Sequence, residues 1–457
     1  MPKIPVGLVA TLLIGAIAAA GCNSHTTART RPEPRTTAQP NAELPATPAG
    51  RQLSWALALL NSGRTPTTEE LSAHFSTAFL EAVPPAKLIA GIAPVTAAKP
   101  YHYAGSMTPP DRLQLVARLD SEQGASLRVS IKVADNPAHL IEGLLIQPIA
   151  SRPSGWREID TGLEKLASQA SMLAAEVRRG RLETVHALYP NRAGAVGSAF
   201  KLYVLGALGQ AIDKGKASWQ EKLAIRDAWK SIPSGQMQNE PAGKHFRLLR
   251  YAQLMIAISD NTAADHLIRR LGRTTVEREY GQLGNRSRRR GFPLLTTREM
   301  TVLKIDAPAA LVRAYTRAGY EARLRLLPRI DAIPLSGLGV VWDSPRFIDR
   351  IEWFASPADL GRAMVGLQQL ARRLGLAPIR AILSKNPGVQ LDTKIWRYAA
   401  YKGGSEPGVL CFSWYLERRD GRAFVLAIVL NDSKRAEADL ISPVSVAQGA
   451  MALLAHS

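Results

Sequence analysis

Three short stretches of the chain carry residue types able to perform acyl transfer. Gly197-Ser198-Ala199-Phe200-Lys201 leads into the apolar run LYVLGALGQAI. Residues three apart share a helix face, so Ser198 Oγ and Lys201 Nζ can meet. A serine hydroxyl is a weak nucleophile until a base stands within hydrogen-bond reach. A lysine is such a base only when desolvation and nearby positive charge keep it neutral. A helix N-terminus would add positive potential beside a developing oxyanion. The plainer alternative is an N-cap serine followed by a solvated lysine. Ser259-Asp260-Asn261 follows the apolar run RLLRYAQLMIAI and precedes AADHLIRRL, a place suited to one wall of a cleft. Ser, Asp and Asn are all good N-caps, and a cap alone would explain this tripeptide. Lys402-Gly403-Gly404-Ser405 ends the strand-like stretch RYAAY. Its glycines would let a substrate backbone come close, and its lysine would attract a carboxylate. A Gly-rich turn between strands is the alternative.

Such residues need a rigid frame. From Trp156 onward the pattern reads as helical segments, then strands at Arg397–Lys402, Val409–Glu417 and Ala423–Asn431, then a helical tail at Pro443–Leu454. Before that frame, Leu53–Asn61 reads as a helix. Thr67–Val83 reads as another, with Leu71, Phe75, Phe79 and Leu80 at helical spacing. Thr67 or Thr68 would cap it, Glu69 and Glu70 would sit in its first turn, and Pro84-Pro85 would end it. Leu113–Leu119, Ser126–Val133 and Leu140–Ile149 alternate apolar and polar residues as half-buried strands do. Helices followed by antiparallel strands predict a small α+β domain over 51–152. Ser151–Gly155 reads as a linker, and the whole chain is of the α+β class.

The chain begins with an address. Lys3 precedes an apolar stretch from Val6 to Ala20, of signal-peptide length and short for a spanning helix. Ala19-Ala20-Gly21-Cys22 resembles the lipobox of bacterial lipoproteins, with Ala19 where Leu is usual. Residues 1–22 are therefore expected to be a lipoprotein signal peptide, with Cys22 acylated at the outer face of the cytoplasmic membrane, in the cell envelope. A plain secretory signal with a chance cysteine is the other reading, and both export the chain. Residues 23–50, rich in Thr, Pro, Ala and Arg, are expected to be a disordered tether. Cys411 is then an unpaired, buried strand residue. The net charge of +20 favours anionic partners. Its densest run, Arg286 with Arg288–Arg290, lacks interleaved aromatics, so a solvated basic loop is expected rather than nucleic-acid binding. Two cysteines exclude a cysteine-built metal site, and no metal or cofactor is expected. The sequence leaves the oligomeric state open.

The three stretches, in this order, resemble the S-x-x-K, S-D-N and K-[ST]-G set of class A β-lactamases and penicillin-binding proteins. The resemblance spans 156–457 and implies a β-lactamase/transpeptidase-like domain: a helical subdomain plus an antiparallel sheet flanked by helices. A closer resemblance is to actinobacterial β-lactamase-like serine hydrolases of clavulanic acid gene clusters, which join a small steroid-isomerase-like domain to this one. It rests on Phe79-Leu80-Glu81-Ala82-Val83-Pro84 with Leu88-Ile89, on Thr296-Thr297-Arg298-Glu299-Met300, and on Glu352-Trp353-Phe354-Ala355-Ser356-Pro357.

The resemblance implies catalytic roles for Ser198 (nucleophile), Lys201 (base) and Ser259 (proton relay). It implies substrate binding by Asn261, Lys402, Gly403, Gly404 and Ser405, with the N–H groups of Ser198 and Ser405 as oxyanion hole. Two departures stand out. Gly403 replaces the usual Thr or Ser, with Ser405 a candidate to compensate. Between Asn261 and Thr296 the only glutamates, Glu277 and Glu279, sit in no E-x-x-L-N segment. An exported serine hydrolase forming an acyl-enzyme on an ester, β-lactam or peptide carbonyl of a carboxylate-bearing substrate is expected, weak as a β-lactamase. A catalytically silent cell-envelope lipoprotein that binds without turnover is the alternative.

Overall fold

The computed structural model describes residues 43–457 apart from 110, 123, 150–152, 336–341 and 437–440. The signal stretch 1–22, Cys22 and the tether up to 42 lie outside the described residues. Among the described residues, no helix is long and apolar enough to cross a membrane. The chain divides into two units. One takes in the described residues up to 149 with the first turns of the terminal helix; the other takes in 153–436 and the last residues, Gly449–Ser457.

The first unit is helices followed by an antiparallel sheet. Its first helix, Pro48–Ser62, starts before residue 51, where folding was expected to begin, because Thr47 caps it and Pro48 opens it. The long helix expected over Thr67–Val83 is two, Thr68–His74 and Thr77–Ala82. The chain breaks at Ser76, whose N–H donates to Ile141 O at 3.0 Å and whose Oγ caps the second helix at Phe79 N–H, 3.2 Å. Pro84-Pro85 ends one helix and opens the next, Pro85–Thr96. Proline is as good a first residue as it is a terminator, and the sequence reading used only the second property. Four strands follow in the order Tyr101–Ser106, Gln114–Ser121, Ser126–Val133, Ile141–Pro148. The first of these was not foreseen: it is short and bulged between Tyr103 and Gly105. Leu53, Leu71, Phe75, Leu127 and Ile131 are buried in this unit's core.

The second unit is built on a five-stranded antiparallel sheet. Its order is Trp396–Glu406, Val409–Arg418, Ala423–Asn431, Gln169–Arg178, Arg181–Leu188. The late three strands meet expectation; the early hairpin corrects it. Gln169–Arg178 is buried from Ala170 to Glu176, so it shows no alternation, and its Ala, Met and Leu content reads as helix. The hairpin turn is Arg179-Gly180, both at positive φ (50° and 75°), the backbone a two-residue hairpin requires. Helix Pro357–Leu370 packs on the sheet, with Ser356 and Asp359 forming a reciprocal capping box.

The helix that follows Ser198 is Lys201–Asp213. Every residue from Lys201 to Gly209 is buried. Leu202, Val204, Leu205 and Leu208 are each fully buried, worth about 1.5–3 kcal/mol apiece, so the base of the turn that carries Ser198 is clamped on all sides. Cys411 is free and buried, in the strand Val409–Arg418, as expected, and burial pushes its thiol pKa up. The arginine run is exposed at Arg286, Arg289 and Arg290, as expected of a solvated basic stretch, and it is also tied to its surroundings. Arg288 donates to Asn285 O at 2.8 Å, and Arg290 to Ala193 O and Asp349 O at 3.2 Å each. Arg290 also lies over the Phe354 ring, 4.2 Å from its centroid.

Candidate active site

Gly197 starts the site. Its φ of +47° suits glycine, and it turns the chain from the pairing Gly194–Ala195/Phe354–Ala355 into a 3-10 turn, Gly197–Phe200. In a 3-10 turn side chains i and i+3 eclipse. That geometry aligns Ser198 with Lys201: Oγ and Nζ are 3.1 Å apart. Phe200 stacks on Trp353, centroids 3.9 Å apart, which braces the turn from behind.

Lys201 is fully buried. Its Nζ lies 2.6 Å from Ser259 O and 2.6 Å from Asn261 Oδ1. Both neighbours are acceptors only. A neutral amine has two N–H bonds and one lone pair. Donating to these two oxygens leaves the lone pair for the Ser198 hydroxyl. Burial, and then the positive charge of Lys402, hold the Lys201 pKa well below its ordinary value. A solvated lysine beside an N-cap serine is therefore excluded, and Ser198 caps neither the turn nor the helix.

The Ser259-Asp260-Asn261 stretch divides its labour. Asp260 is the helix cap, accepting from Ala263 N–H at 2.8 Å. Its other oxygen accepts from Gln236 N–H at 2.7 Å and Met237 N–H at 2.9 Å, tying down the loop opposite. Asn261 donates from Nδ2 to Ile232 O at 2.8 Å, which fixes its Oδ1 toward Lys201. Ser259 is held at φ +58°, and its Oγ lies between two amines, 3.2 Å from Lys201 Nζ and 3.1 Å from Lys402 Nζ. Ser234, which the sequence reading did not single out, donates to Ser259 O at 2.7 Å.

Lys402-Gly403-Gly404-Ser405 lies inside its strand, not at the end and not in a turn. It pairs with Ser413, Phe412, Cys411 and Leu410 in register. Burial lowers the Lys402 pKa to about 7. Gly404 meets the turn that carries Ser198 backbone to backbone. A Cβ there would collide with Val196 O and stand 2.6 Å from Ser198 N and 2.7 Å from Ala199 N. From the other side, a Cβ on Gly197 would stand 3.1 Å from Ser405 N. The N–H groups of Ser198 and Ser405 thus flank one crossing point.

All eight residues expected in the soluble part of the site line one cleft or, in the case of Lys201, lie directly beneath it. Cys22 is outside the described residues. Pro233, Met300, Trp342, Trp353 and Tyr401 give the cleft an apolar wall that the motifs did not reveal. Glu406 also lines it. Its carboxyl is bound to Lys304, which in turn lies 3.0 Å from Glu352. Glu277 and Glu279 do not line it. Glu277 accepts from Leu294 N–H at 2.7 Å and from the Tyr320 hydroxyl at 2.8 Å.

The other stretches singled out in the sequence position the site. Thr296 and Glu299 form a capping box that starts the helix carrying Met300, and Glu299 is buried against Arg273 at 2.6 Å. Thr297 N–H donates to Asp265 at 2.7 Å, joining that helix to the one that begins at Asn261. Trp353 donates from its indole N–H to Leu295 O at 3.0 Å.

No curated protein matches the chain. Solved structures that align with it include PBP-A, at 18% identity over 67% of this chain and 99% of that one, TM-score 0.42. A beta-lactamase from Sphaerobacter thermophilus DSM 20745 aligns at 19% identity over 66% of this chain and 96% of that one, TM-score 0.46. One from Desulfarculus baarsii DSM 2075 aligns at 17% identity over 67% and 100%, TM-score 0.46. Residues 44–137 match the family described as ORF 12 gene product N-terminal. Residues 157–447, more than half of the chain, match the one described as beta-lactamase enzyme family. The chain belongs to the beta-lactamase enzyme family.

Proposed function

We propose that the chain is a serine acyl hydrolase with Ser198 as nucleophile. One observation carries this reading: Ser198 Oγ stands 3.1 Å from a fully buried lysine amine whose N–H bonds are directed to two other acceptors. Ser198 Oγ attacks the substrate carbonyl carbon as Lys201 Nζ takes its proton. The oxyanion is met by the N–H groups of Ser198 and Ser405; removing one such donor typically costs about 2.7–4 kcal/mol of barrier. Ser259 Oγ, between two amines, passes a proton to the departing group, and the acyl group is left on Ser198. Water then cleaves the ester with Lys201 again as base. Asn261 orients Lys201 and the substrate amide, while Lys402, Gly403, Gly404 and Ser405 receive the substrate and its carboxylate.

The carbonyl is that of an ester, a β-lactam or a peptide. Turnover of β-lactams is weak in this reading, because the one glutamate in the described cleft lining, Glu406, is engaged by Lys304. The same feature favours the second reading, a binding protein that acylates slowly or not at all. Export and lipid attachment at Cys22 belong to the proposal too, supported by the apolar stretch before Ala19-Ala20-Gly21-Cys22. A steroid-isomerase-like first unit is supported by its helices-then-sheet order.

Intact-mass measurement after incubation with a fluorophosphonate or benzylpenicillin tests the core of the proposal. An adduct on Ser198, absent in Ser198→Ala, is expected. Absence of any adduct favours the silent binder, and ester hydrolysis undiminished in Ser198→Ala removes the assigned nucleophile. Transfer of the chain from membrane to soluble fraction in Cys22→Ser tests the anchor.

A further inference from the structure

Gly403 leaves the strand without the hydroxyl side chain that the family motif places there, yet the space is not open. A Cβ on Gly403 would collide with the Tyr401 hydroxyl and stand 2.9 Å from Tyr401 Cζ. Residues 401 and 403 project from the same face of the strand, because side chains alternate with period two. Tyr401 therefore folds its phenol along the strand into the volume a residue-403 side chain would fill. Glycine is needed at 403 for that reason, and at Gly388 too, where a Cβ would stand 2.5 Å from the same ring. The ring stacks on Trp414, centroids 4.9 Å apart, so the hydroxyl is held in place rather than swinging.

We propose that Tyr401 supplies the hydroxyl missing at position 403 and is a specificity-determining residue for the substrate's carboxylate. This rests on the acyl-hydrolase reading above. Three observations support it. Tyr401 lines the cleft with Ser198, Ser259 and Lys402. Its hydroxyl occupies the motif position itself. Burial raises its pKa, so it remains an O–H donor at every working pH, as a carboxylate partner must. Among the charged residues that line the described cleft, only Lys402 is cationic, and a second donor lining the same cleft would give the carboxylate a two-point hold.

The test uses Ser198→Ala protein, so that binding is read without acylation, with benzylpenicillin and its methyl ester as paired probes in titration calorimetry. The free acid is expected to bind more tightly than the ester. Adding Tyr401→Phe, which keeps the ring stack, should reduce that preference about tenfold, the size of a hydrogen bond to a charged group. Tyr401→Val combined with Gly403→Thr should return most of it, while Gly403→Thr alone should not. An unchanged preference in Tyr401→Phe, or no preference in the parent, overturns the inference. Labelling of Ser198 in otherwise unaltered protein is scored separately, so loss of the hydrolase reading is distinguishable from loss of this one.

Discussion

Lys201 Nζ and Asn261 Oδ1 stand 2.6 Å apart, and the Asn261 amide cannot flip, because its Nδ2 is committed to Ile232 O at 2.8 Å. The pair gives Lys201 an acceptor without giving it a counter-charge. That distinction leaves the lowering of its pKa unopposed at this contact, since an opposite charge at this distance would raise a lysine pKa by about 1–3 units. Asn261→Asp supplies the charge at nearly constant shape. The rate of fluorophosphonate labelling at neutral pH should fall by about tenfold for each unit the pKa rises, and should recover as pH is raised. Asn261→Ala, which adds no charge, should show no such recovery. A loss of equal size at every pH in Asn261→Asp would mean the amide matters for shape alone.

Ser259 holds a φ of +58°, a conformation that costs a non-glycine residue about 1–2 kcal/mol. Its hydroxyl touches both site lysines and caps nothing. Ser259→Gly should therefore leave stability in denaturant unchanged or raised by about 1 kcal/mol, while acylation falls by about 10²–10⁴, the range for losing a proton-transfer group. Activity and stability moving down together would show that the serine is retained for structure.

Lys201 and Lys402 need opposite charge states. Burial lowers both, Lys402 to about 7. A lysine is charged below its pKa, so in the proposed role Lys402 can hold a carboxylate at pH 6 and progressively loses that ability above 7. Lys201, lowered well below its ordinary value, must be neutral to take the Ser198 proton. For a carboxylate-bearing ester, KM should rise above pH 7 by up to about tenfold per pH unit, the limit set by one proton. The methyl ester of the same compound should show no such rise. Parallel KM profiles for the two compounds would remove Lys402 as the carboxylate partner.

How far the sequence revealed this site depends on how local each cause is. Ser198, Lys201, Ser259, Asn261 and Lys402 were legible because their chemistry forces them into short, ordered motifs. Asp260 looked like a cap and is one, yet the same tripeptide also feeds the lysine, so the two readings of that stretch were not exclusive. Ser234 and Glu406 were invisible because each acts across a chain crossing that no periodicity records. Tyr401 was hidden by the same fact that makes it interesting: its hydroxyl occupies a neighbour's side-chain volume. The strand Gln169–Arg178 was misread as helix because burial on both faces erases the period-two pattern.

Beneath the strand edge, Lys304 is fully buried between Glu352, at 3.0 Å, and Glu406. The two carboxyls hold the Lys304 pKa above its ordinary value despite burial. Burial and the adjacent Glu352 push the Glu406 pKa well up. Lys304→Met keeps the volume and removes the cation, leaving the Glu352 carboxylate, which accepts from the Trp353 N–H at 2.9 Å, buried without its positive partner. Breaking a buried pair from one side costs about 3–5 kcal/mol, and urea unfolding should show a loss of that size. Glu352→Gln added to Lys304→Met should recover most of it, since no unpaired charge is then buried. Because Glu406 follows Ser405 directly, the single variant should also slow Ser198 labelling and the double variant should restore it. A Lys304→Met protein as stable as its parent would mean that the lysine does not fix this end of the strand.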